Sequence, residues 1–126
     1  MAYGRTKLYN ILFTHALSER IEQSKGLVMS LHPGVVRTAI FRNPVDTEIQ
    51  QFFFSLITPF LWIGTKDCVE GAQTTLHLLF TDSKNLKNGG YYADCELSKE
   101  SPLVNKENWE KLWSLSEGFL NIEFGK

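Results

Sequence analysis

Two short segments of the chain carry side chains whose types and spacing could support chemistry. Tyr3 and Lys7 stand four residues apart, and the run Pro33–Thr38 follows later in the sequence. On a helix, residues four apart share one face, and an ammonium group beside a phenol favours the phenolate form. A tyrosine in this setting can act as a general acid or base toward an alcohol or carbonyl oxygen. The spacing alone is a weak signal, because exposed tyrosine and lysine side chains often lie together on protein surfaces.

A helix followed by a short strand would position these two segments. Apolar residues recur at spacings of three and four between residues 3 and 24, which predicts a helix that Gly26 ends. The apolar run Leu27–Leu31 has the composition of a buried strand in a parallel sheet, and Pro33-Gly34 forces a turn after it. Helix and strand run in opposite directions in such a layer, so we expect the turn to return to the end that carries Tyr3. That carboxyl edge of the strands is where ligands bind in open α/β sheets.

The rest of the chain continues the alternation of helix and strand. Residues 39–48 have the composition of a loop, and residues 49–63 predict a helix that bends or ends near Pro59. Thr65 predicts the N-cap of a further helix. The sequence 90–93 predicts a second strand, and Asn105 predicts the N-cap of the last helix, which carries Trp109, Leu112 and Trp113 on one face. The core side of the helix after Thr65 is predicted to consist of Val69, Ala72, Leu76, Leu79 and Phe80. This order predicts the tail of an alternating α/β fold.

Composition places the chain in an ordinary class and excludes some partners. At 126 residues it is long enough for one domain and too short for two. A net charge of −1 gives no reason to expect nucleic acid as a partner. Cys68 and Cys95 lack metal or redox spacing, so we expect free thiols in a reducing compartment. No signal peptide is visible, and we expect an intracellular, cytoplasmic protein, although a missing native N-terminus would leave membrane targeting open.

The histidines and the aromatic runs have structural explanations as well as functional ones. We expect His15 to make a surface or packing contact, His32 to be structural and His77 to be solvated. No cluster of His, Cys, Asp or Glu has the spacing of metal ligands. The runs 52–54 and 60–62 are rich in Phe and Trp, and three interpretations stay open. They could pack in the core, cover an apolar substrate or touch a membrane surface.

The combination of motifs resembles the short-chain dehydrogenase/reductase family, and within it the retinol-dehydrogenase-like branch. The resemblance rests on residues 2–14 and 31–38, with further matches at Glu70–Thr74, Gly89–Cys95 and Leu112–Ser116. It covers essentially the whole chain, but only the C-terminal part of a family domain. It implies that residues 1–126 form a single incomplete domain, the C-terminal part of a Rossmann-like doubly wound parallel sheet. That part would hold two strands and about four helices, without the N-terminal cofactor half.

The resemblance also implies roles for particular residues. Tyr3 would be the catalytic acid/base, and Lys7 would favour its phenolate and bind the nicotinamide ribose of NAD(P). Thr6 stands where the family usually has Ser. The substrate would be a small apolar alcohol or carbonyl compound, such as a retinoid, steroid or lipid aldehyde. The cofactor-binding residues would be Lys7, Pro33, Gly34, Val36 and Thr38.

Other parts of the family's site have no counterpart in this sequence. The glycine-rich cofactor loop, the catalytic Ser and the structural Asn of the family all precede the tyrosine. We therefore expect the 126-residue chain alone to bind coenzyme weakly or not at all, and to be inactive. The alternative is a catalytically inactive fragment that associates with a like or unlike chain through residues 3–24, or a truncated gene model. We also expect a marginal monomer that aggregates or pairs, since apolar faces would stay uncovered.

Overall fold

The computed structural model describes residues 2–22, 24–37, 55–56 and 64–122. Within these ranges the chain forms α-helices α1 (Ala2–Arg20), α2 (Cys68–Phe80) and α3 (Lys106–Leu120). The strands are β1 (Ser30–His32), β2 (Tyr91–Ala93) and β3 (Glu96–Leu97), and a short 3-10 helix spans Ser83–Asn85. The α/β class is confirmed. The predicted loop 39–48 lies outside the described residues, as do both aromatic runs, and of the predicted helix 49–63 only Ser55 and Leu56 are described.

The sheet is small and mixed, with strand order β1-β2-β3. β1 and β2 are parallel, with Leu31 opposite Tyr92, whereas β2 and β3 are antiparallel. Two strands in a parallel sheet were predicted, and β3 was missed. The turn before β3 is Asp94-Cys95, whose φ angles are 53° and 64°. Two-residue hairpins favour such left-handed pairs, but they usually use Asn-Gly or Asp-Gly, so the sequence carried no strong signal for this hairpin.

Helix α1 ends at Arg20, earlier than the predicted position near residue 24. The amide of Asn88 donates to the Ser18 carbonyl at 3.1 Å, which is the acceptor that residue 22 would use in a longer helix. The Arg20 guanidinium donates to the Ala16 carbonyl at 2.8 Å. These two side chains occupy carbonyl groups in the last turns of α1, and the helix ends at Arg20. Gly26 therefore lies in the connection to β1 and does not end the helix.

Asn88 also joins the end of α1 to the start of the sheet. Its side-chain oxygen accepts from the Val28 N–H at 2.9 Å, and the Gly89 N–H donates to the Val28 carbonyl at 2.7 Å. β1 therefore begins at Ser30, later than the predicted Leu27, because Val28 bonds the residues before β2 instead of forming a ladder. The C-terminal end of α1 thus lies beside the starts of both parallel strands.

Helix α2 begins after Asp67, and the predicted cap at Thr65 is wrong. The Asp67 carboxylate accepts from the Glu70 N–H at 2.7 Å, and the Glu70 carboxylate accepts from the Asp67 N–H at 2.9 Å. This reciprocal capping box satisfies two of the N–H groups that have no partner within the helix. A single hydroxyl at Thr65 offers no such pair. The predicted cap of α3 is confirmed, since the Asn105 side chain accepts from the Asn108 N–H at 3.0 Å.

The core lies mainly between α1 and α3. Leu12, Ala16 and Trp113 are buried, and the Trp113 ring stacks on Phe13 with centroids 5.7 Å apart. The Arg20 guanidinium lies 4.3 Å from the Trp113 ring centroid and pairs with Glu110 at 2.7 Å. A charged side chain thus covers the edge of the apolar contact while its head stays hydrogen-bonded.

The predicted core side of α2 is wrong. The five apolar side chains that were predicted to face the core are exposed, and the buried positions of this helix are Gly71 and Thr74. Small residues allow the close approach of Val36 to Gly71, and this contact decides which face points inward. The exposed side chains are Val69, Ala72, Leu76, Leu79 and Phe80. In the part of the chain that the structure describes, no helix is long and apolar enough to cross a membrane.

Candidate active site

The predicted acid/base pair lies in the first two turns of α1. The Tyr3 side chain is 75% exposed, and the Lys7 Nζ lies 5.2 Å from the centroid of its ring. The Thr6 hydroxyl donates to the Tyr3 carbonyl at 2.7 Å, which occupies this hydroxyl within the helix. The structure therefore brings the phenol and the ammonium together on one helix face, where a substrate oxygen could reach the phenol.

The turn after β1 is held by a side chain of the strand itself. The Gly34 N–H donates to His32 Nδ1 at 2.9 Å, so Nδ1 is the acceptor and the tautomer with the proton on Nε2 is implied. Gly34 has a φ of +83°, a conformation that residues with a side chain rarely adopt. The structural role expected for His32 is confirmed, because its ring fixes the Pro33-Gly34 turn.

Val36 forms an isolated parallel bridge with Lys66, and this bridge orients its own peptide groups. The Lys66 N–H donates to the Val35 carbonyl at 2.8 Å, and the Arg37 N–H donates to the Lys66 carbonyl at 2.9 Å. In this pattern the N–H and C=O of Val36 point to the other side of the strand. Among the described residues, no group bonds to either of them.

The side chain of Lys66 connects the same loop to the end of β2. Its stem lies against Gly34, where an added Cβ would be 3.0 Å from the Lys66 Cδ. Its ammonium group pairs with Asp94. The hydrogen bond from Lys66, together with its positive charge, lowers the pKa of the Asp94 carboxyl. A cleft of about 580 Å³ opens here, lined in part by Arg37, Thr74 and Cys95.

The structure brings some of the predicted site residues together and leaves others apart. Pro33, Gly34 and Val36 lie in one loop against Lys66, and Thr38 is outside the described residues. Within the described ranges, no hydrogen bond joins the side chains of Tyr3 or Lys7 to that loop. The convergence of the two segments on one site stays a prediction.

The remaining histidines and cysteines have local roles. His15 bonds Glu100 at 2.9 Å and stacks on Trp109 at 4.7 Å, which confirms a packing contact. His77 is half-buried and lies 3.4 Å from the Thr81 hydroxyl, so it is less solvated than expected. Cys68 and Cys95 are free thiols. In the described part of the chain, no three His, Cys, Asp or Glu side chains form a group that could hold a metal ion.

Sequence reasoning missed the residues that support the loop, namely Lys66, Gly71 and Asp94. The spacing Asp67-x-x-Glu70 was a detectable signal, because a capping box there leaves Lys66 just outside the helix. The pairing of Lys66 with Asp94 had no signal in the sequence, since it joins positions 28 residues apart. It depends on where the end of β2 lies relative to the start of α2.

Comparison with known proteins supplies relatives over almost the whole chain. The chain is 36% identical over 121 residues to retinol dehydrogenase 14 of Mus musculus, which covers 95% of this chain and 35% of that protein. It is 34% identical over 124 residues to retinol dehydrogenase 12 of Mus musculus, covering 98% and 37% of the two chains. It is also 33% identical over 120 residues to the chloroplastic short-chain dehydrogenase TIC 32 A of Brassica napus, covering 91% and 35%. No family profile and no solved structure matches the chain.

The α/β fold is compatible with these relatives. The chain belongs to the short-chain dehydrogenase/reductase family and to its retinol-dehydrogenase-like branch. It spans about a third of the length of the curated relatives that it matches.

Proposed function

We propose that this chain supplies the proton-transfer part of an NAD(P)-dependent oxidoreductase that interconverts an alcohol with a ketone or aldehyde. The observation that carries the proposal is the exposed Tyr3 phenol with the Lys7 ammonium 5.2 Å from its ring. A phenol open to solvent can exchange a proton with a substrate oxygen, and a neighbouring cation favours negative charge on the phenol oxygen. Relatives named retinol dehydrogenases favour this class of reaction.

The proton transfer can be described from the chain's own residues. In carbonyl reduction, Tyr3 donates its hydroxyl proton to the substrate oxygen, and in alcohol oxidation the Tyr3 phenolate accepts it. Lys7 holds positive charge 5.2 Å from the centre of the Tyr3 ring in both directions. A bound nicotinamide coenzyme would exchange the hydride with the substrate carbon. Tyr3 therefore moves the proton while the loop 33–36 holds the other reactant in place.

Two backbone groups of the loop, on Val36, would suit the carboxamide of a nicotinamide. A primary amide presents an acceptor oxygen and donor N–H groups. The Val36 N–H and C=O point to one side of the strand and bond no other described group. They are complementary to a carboxamide, which supports binding of the nicotinamide end by Val36. Lys7 would bind the ribose. The other proposed coenzyme-binding residues are Pro33, Gly34 and Thr38.

The substrate is proposed to be apolar, of the retinoid, steroid or lipid type. This follows from the names of the relatives, retinol being an apolar alcohol. The cleft near Lys66 is lined by charged as well as neutral side chains, so we do not assign it to the apolar part of such a substrate.

A second candidate function is an interaction module without catalysis. It is favoured by an apolar groove of about 510 Å³ between α1 and α3, lined by Leu8, Leu12, Leu112 and Phe119 among others. Phe119 is 86% exposed. Such a groove would suit association through α1 with another chain. The two candidates differ at Tyr3, because an interaction module does not need the phenol oxygen.

Coenzyme affinity tests the proposal. We would replace the matching segment of mouse retinol dehydrogenase 14 with this chain and titrate the chimera with NADPH and NADH. Lys7→Met keeps the length of the side chain and removes the ammonium group, so we expect the Kd for the coenzyme to rise about tenfold. Lys25→Met, on an exposed lysine after α1, should leave the Kd unchanged.

Two results would contradict the proposal. One is a folded chimera that binds neither coenzyme. The other is an equal change in Kd for Lys7→Met and Lys25→Met, because a general loss of positive charge would explain it.

A further inference from the structure

We propose that Lys66 and Asp94 form a latch that holds residues 33–36 against the carboxyl end of the sheet. Lys66 is then a positioning residue for the coenzyme loop, which rests on the function proposed above. The latch consists of three contacts of Lys66: its backbone with residues 35–37, its stem with Gly34, and its ammonium group with Asp94.

The backbone contact fixes the direction of the loop. Lys66 donates its N–H to Val35 and accepts from the Arg37 N–H, at 2.8 and 2.9 Å. These two bonds bracket Val36 and turn its N–H and C=O away from Lys66. Any displacement of Lys66 therefore changes where the Val36 peptide groups point.

The stem contact acts on the turn before Val36. A Cβ on Gly34 would lie 3.0 and 3.1 Å from Cδ and Cε of Lys66, so the lysine stem packs directly over this glycine. The positive φ of Gly34 and the hydrogen bond from its N–H to His32 leave the turn fixed from one side. The lysine stem closes it from the other side.

The ion pair with Asp94 holds the end of the Lys66 side chain against a well-anchored turn. Asp94 lies in the turn after β2, and the next residue, Cys95, donates its N–H to the Thr74 hydroxyl at 3.3 Å. Thr74 is 1% exposed and belongs to α2. The acceptor of the Lys66 ammonium group is therefore anchored both to the sheet and to a helix. A lysine that lost this partner would keep its stem mobile, because four rotatable bonds separate the ammonium group from the backbone.

The Val36 side chain is held by α2. A Cβ on Gly71 would lie 2.5 Å from Cγ2 of Val36, which means that the valine packs directly on the helix backbone. Lys66 and Gly71 thus restrain the loop from two directions. Of the two, only the Lys66–Asp94 contact can be removed without a change in packing volume, since Asp94 is 74% exposed.

Amide hydrogen exchange tests the latch without any coenzyme. Lys66→Met keeps the stem and removes the charge, and Asp94→Asn removes the charge of the acceptor. We expect both to speed exchange of the Arg37 N–H about two- to fivefold relative to the Trp113 N–H in α3, as suits a partly exposed ion pair. Lys66→Arg should restore the slow rate. Lys106→Met, which removes the exposed pair with Glu19, is the matched control and should leave the Arg37 rate unchanged.

In the retinol dehydrogenase 14 chimera, the same variants should raise the coenzyme Kd by a similar factor. An unchanged Arg37 exchange rate in both Lys66→Met and Asp94→Asn would overturn the latch, whatever the chimera binds. A chimera that binds no coenzyme while these variants still speed exchange would overturn the proposed function and support the latch.

Discussion

At the scale of single residues, the site was predictable where the contact is local in sequence. Tyr3 and Lys7 lie one helical turn apart, so their proximity follows from helix geometry alone. The support of the loop was not predictable in the same way. Lys66 reaches Gly34, Val36 and Asp94 through the fold, and no spacing in the sequence encodes those contacts.

Arg20 shows how one residue connects two helices. It bonds both oxygens of Glu110, at 3.2 and 2.7 Å, and its guanidinium lies over the Trp113 ring. The hydrogen bond from Arg20, followed by its positive charge, lowers the pKa of Glu110 in the folded chain. This bidentate geometry depends on the planar guanidinium and would be lost with lysine.

The Glu110 pair predicts a pH dependence of stability. A lowered carboxyl pKa in the folded state stabilises the fold above the ordinary glutamate pKa of about 4.3, and the gain is lost as the pH falls through the lowered value. Glu110→Gln should therefore reduce the free energy of unfolding by up to about 1 kcal/mol at pH 7, a figure that allows for solvent screening of a partly exposed pair. The difference should be smaller at pH 3 than at pH 7.

Urea denaturation at both pH values measures this difference. Glu96→Gln, on an exposed glutamate of β3, is the control and should change little at either pH. An equal loss of stability for Glu110→Gln at pH 7 and pH 3 would show that the effect comes from packing and not from the charge.

At the scale of elements, sequence patterns predicted the three described α-helices, but they gave the wrong inward face for α2. The Asn105 cap and the α/β alternation were predicted correctly. The apolar pattern of α2 pointed to Leu76, Leu79 and Phe80, yet the buried positions are Gly71 and Thr74. A hydrophobicity pattern cannot recognise a contact that depends on the absence of a side chain at Gly71. Strand β3 was missed for another reason, because a left-handed Asp-Cys turn is an uncommon hairpin sequence.

Paired glycine substitutions test the contact between α2 and the loop. Gly71→Ala would put a Cβ 2.5 Å from the stiff Val36 side chain. We therefore expect the free energy of unfolding to fall by about 1–2 kcal/mol, despite the better helix propensity of alanine. A Cβ on Gly118 in α3 would have nothing within 4 Å, so Gly118→Ala should raise the free energy of unfolding by up to about 1 kcal/mol. Chemical denaturation of both variants gives the comparison.

Whether Gly71→Ala lowers or raises the stability of the chain decides whether Val36 packs on α2. If Gly71→Ala stabilised the chain as Gly118→Ala does, then Val36 would not pack on the α2 backbone. A double variant with Val36→Ala should recover most of the loss, because it removes the methyl groups that the new Cβ would meet.

At the scale of the whole molecule, one side of the described part of the chain is well packed, and another exposes apolar side chains. The α1–α3 contact buries Leu12, Ala16 and Trp113, whereas Val69, Leu79 and Phe80 on α2 are each more than two-thirds exposed. The relatives are about three times as long as this chain, since it spans 35–37% of them. The chimera joins this chain to the rest of such a relative and is therefore the test object for the proposed activity.

Replacement of Tyr3 in the retinol dehydrogenase 14 chimera tests the central claim most directly. Tyr3→Phe removes only the phenol oxygen, so kcat for oxidation of an apolar alcohol should fall about 10²–10⁴-fold, as expected for the loss of a general acid/base. Coenzyme affinity should be unchanged. Tyr9→Phe makes the same change on a half-exposed tyrosine of the same helix and should leave kcat intact. A Tyr3→Phe chimera that turns over as fast as its Tyr9→Phe counterpart would contradict the assignment of Tyr3 as the proton-transferring group.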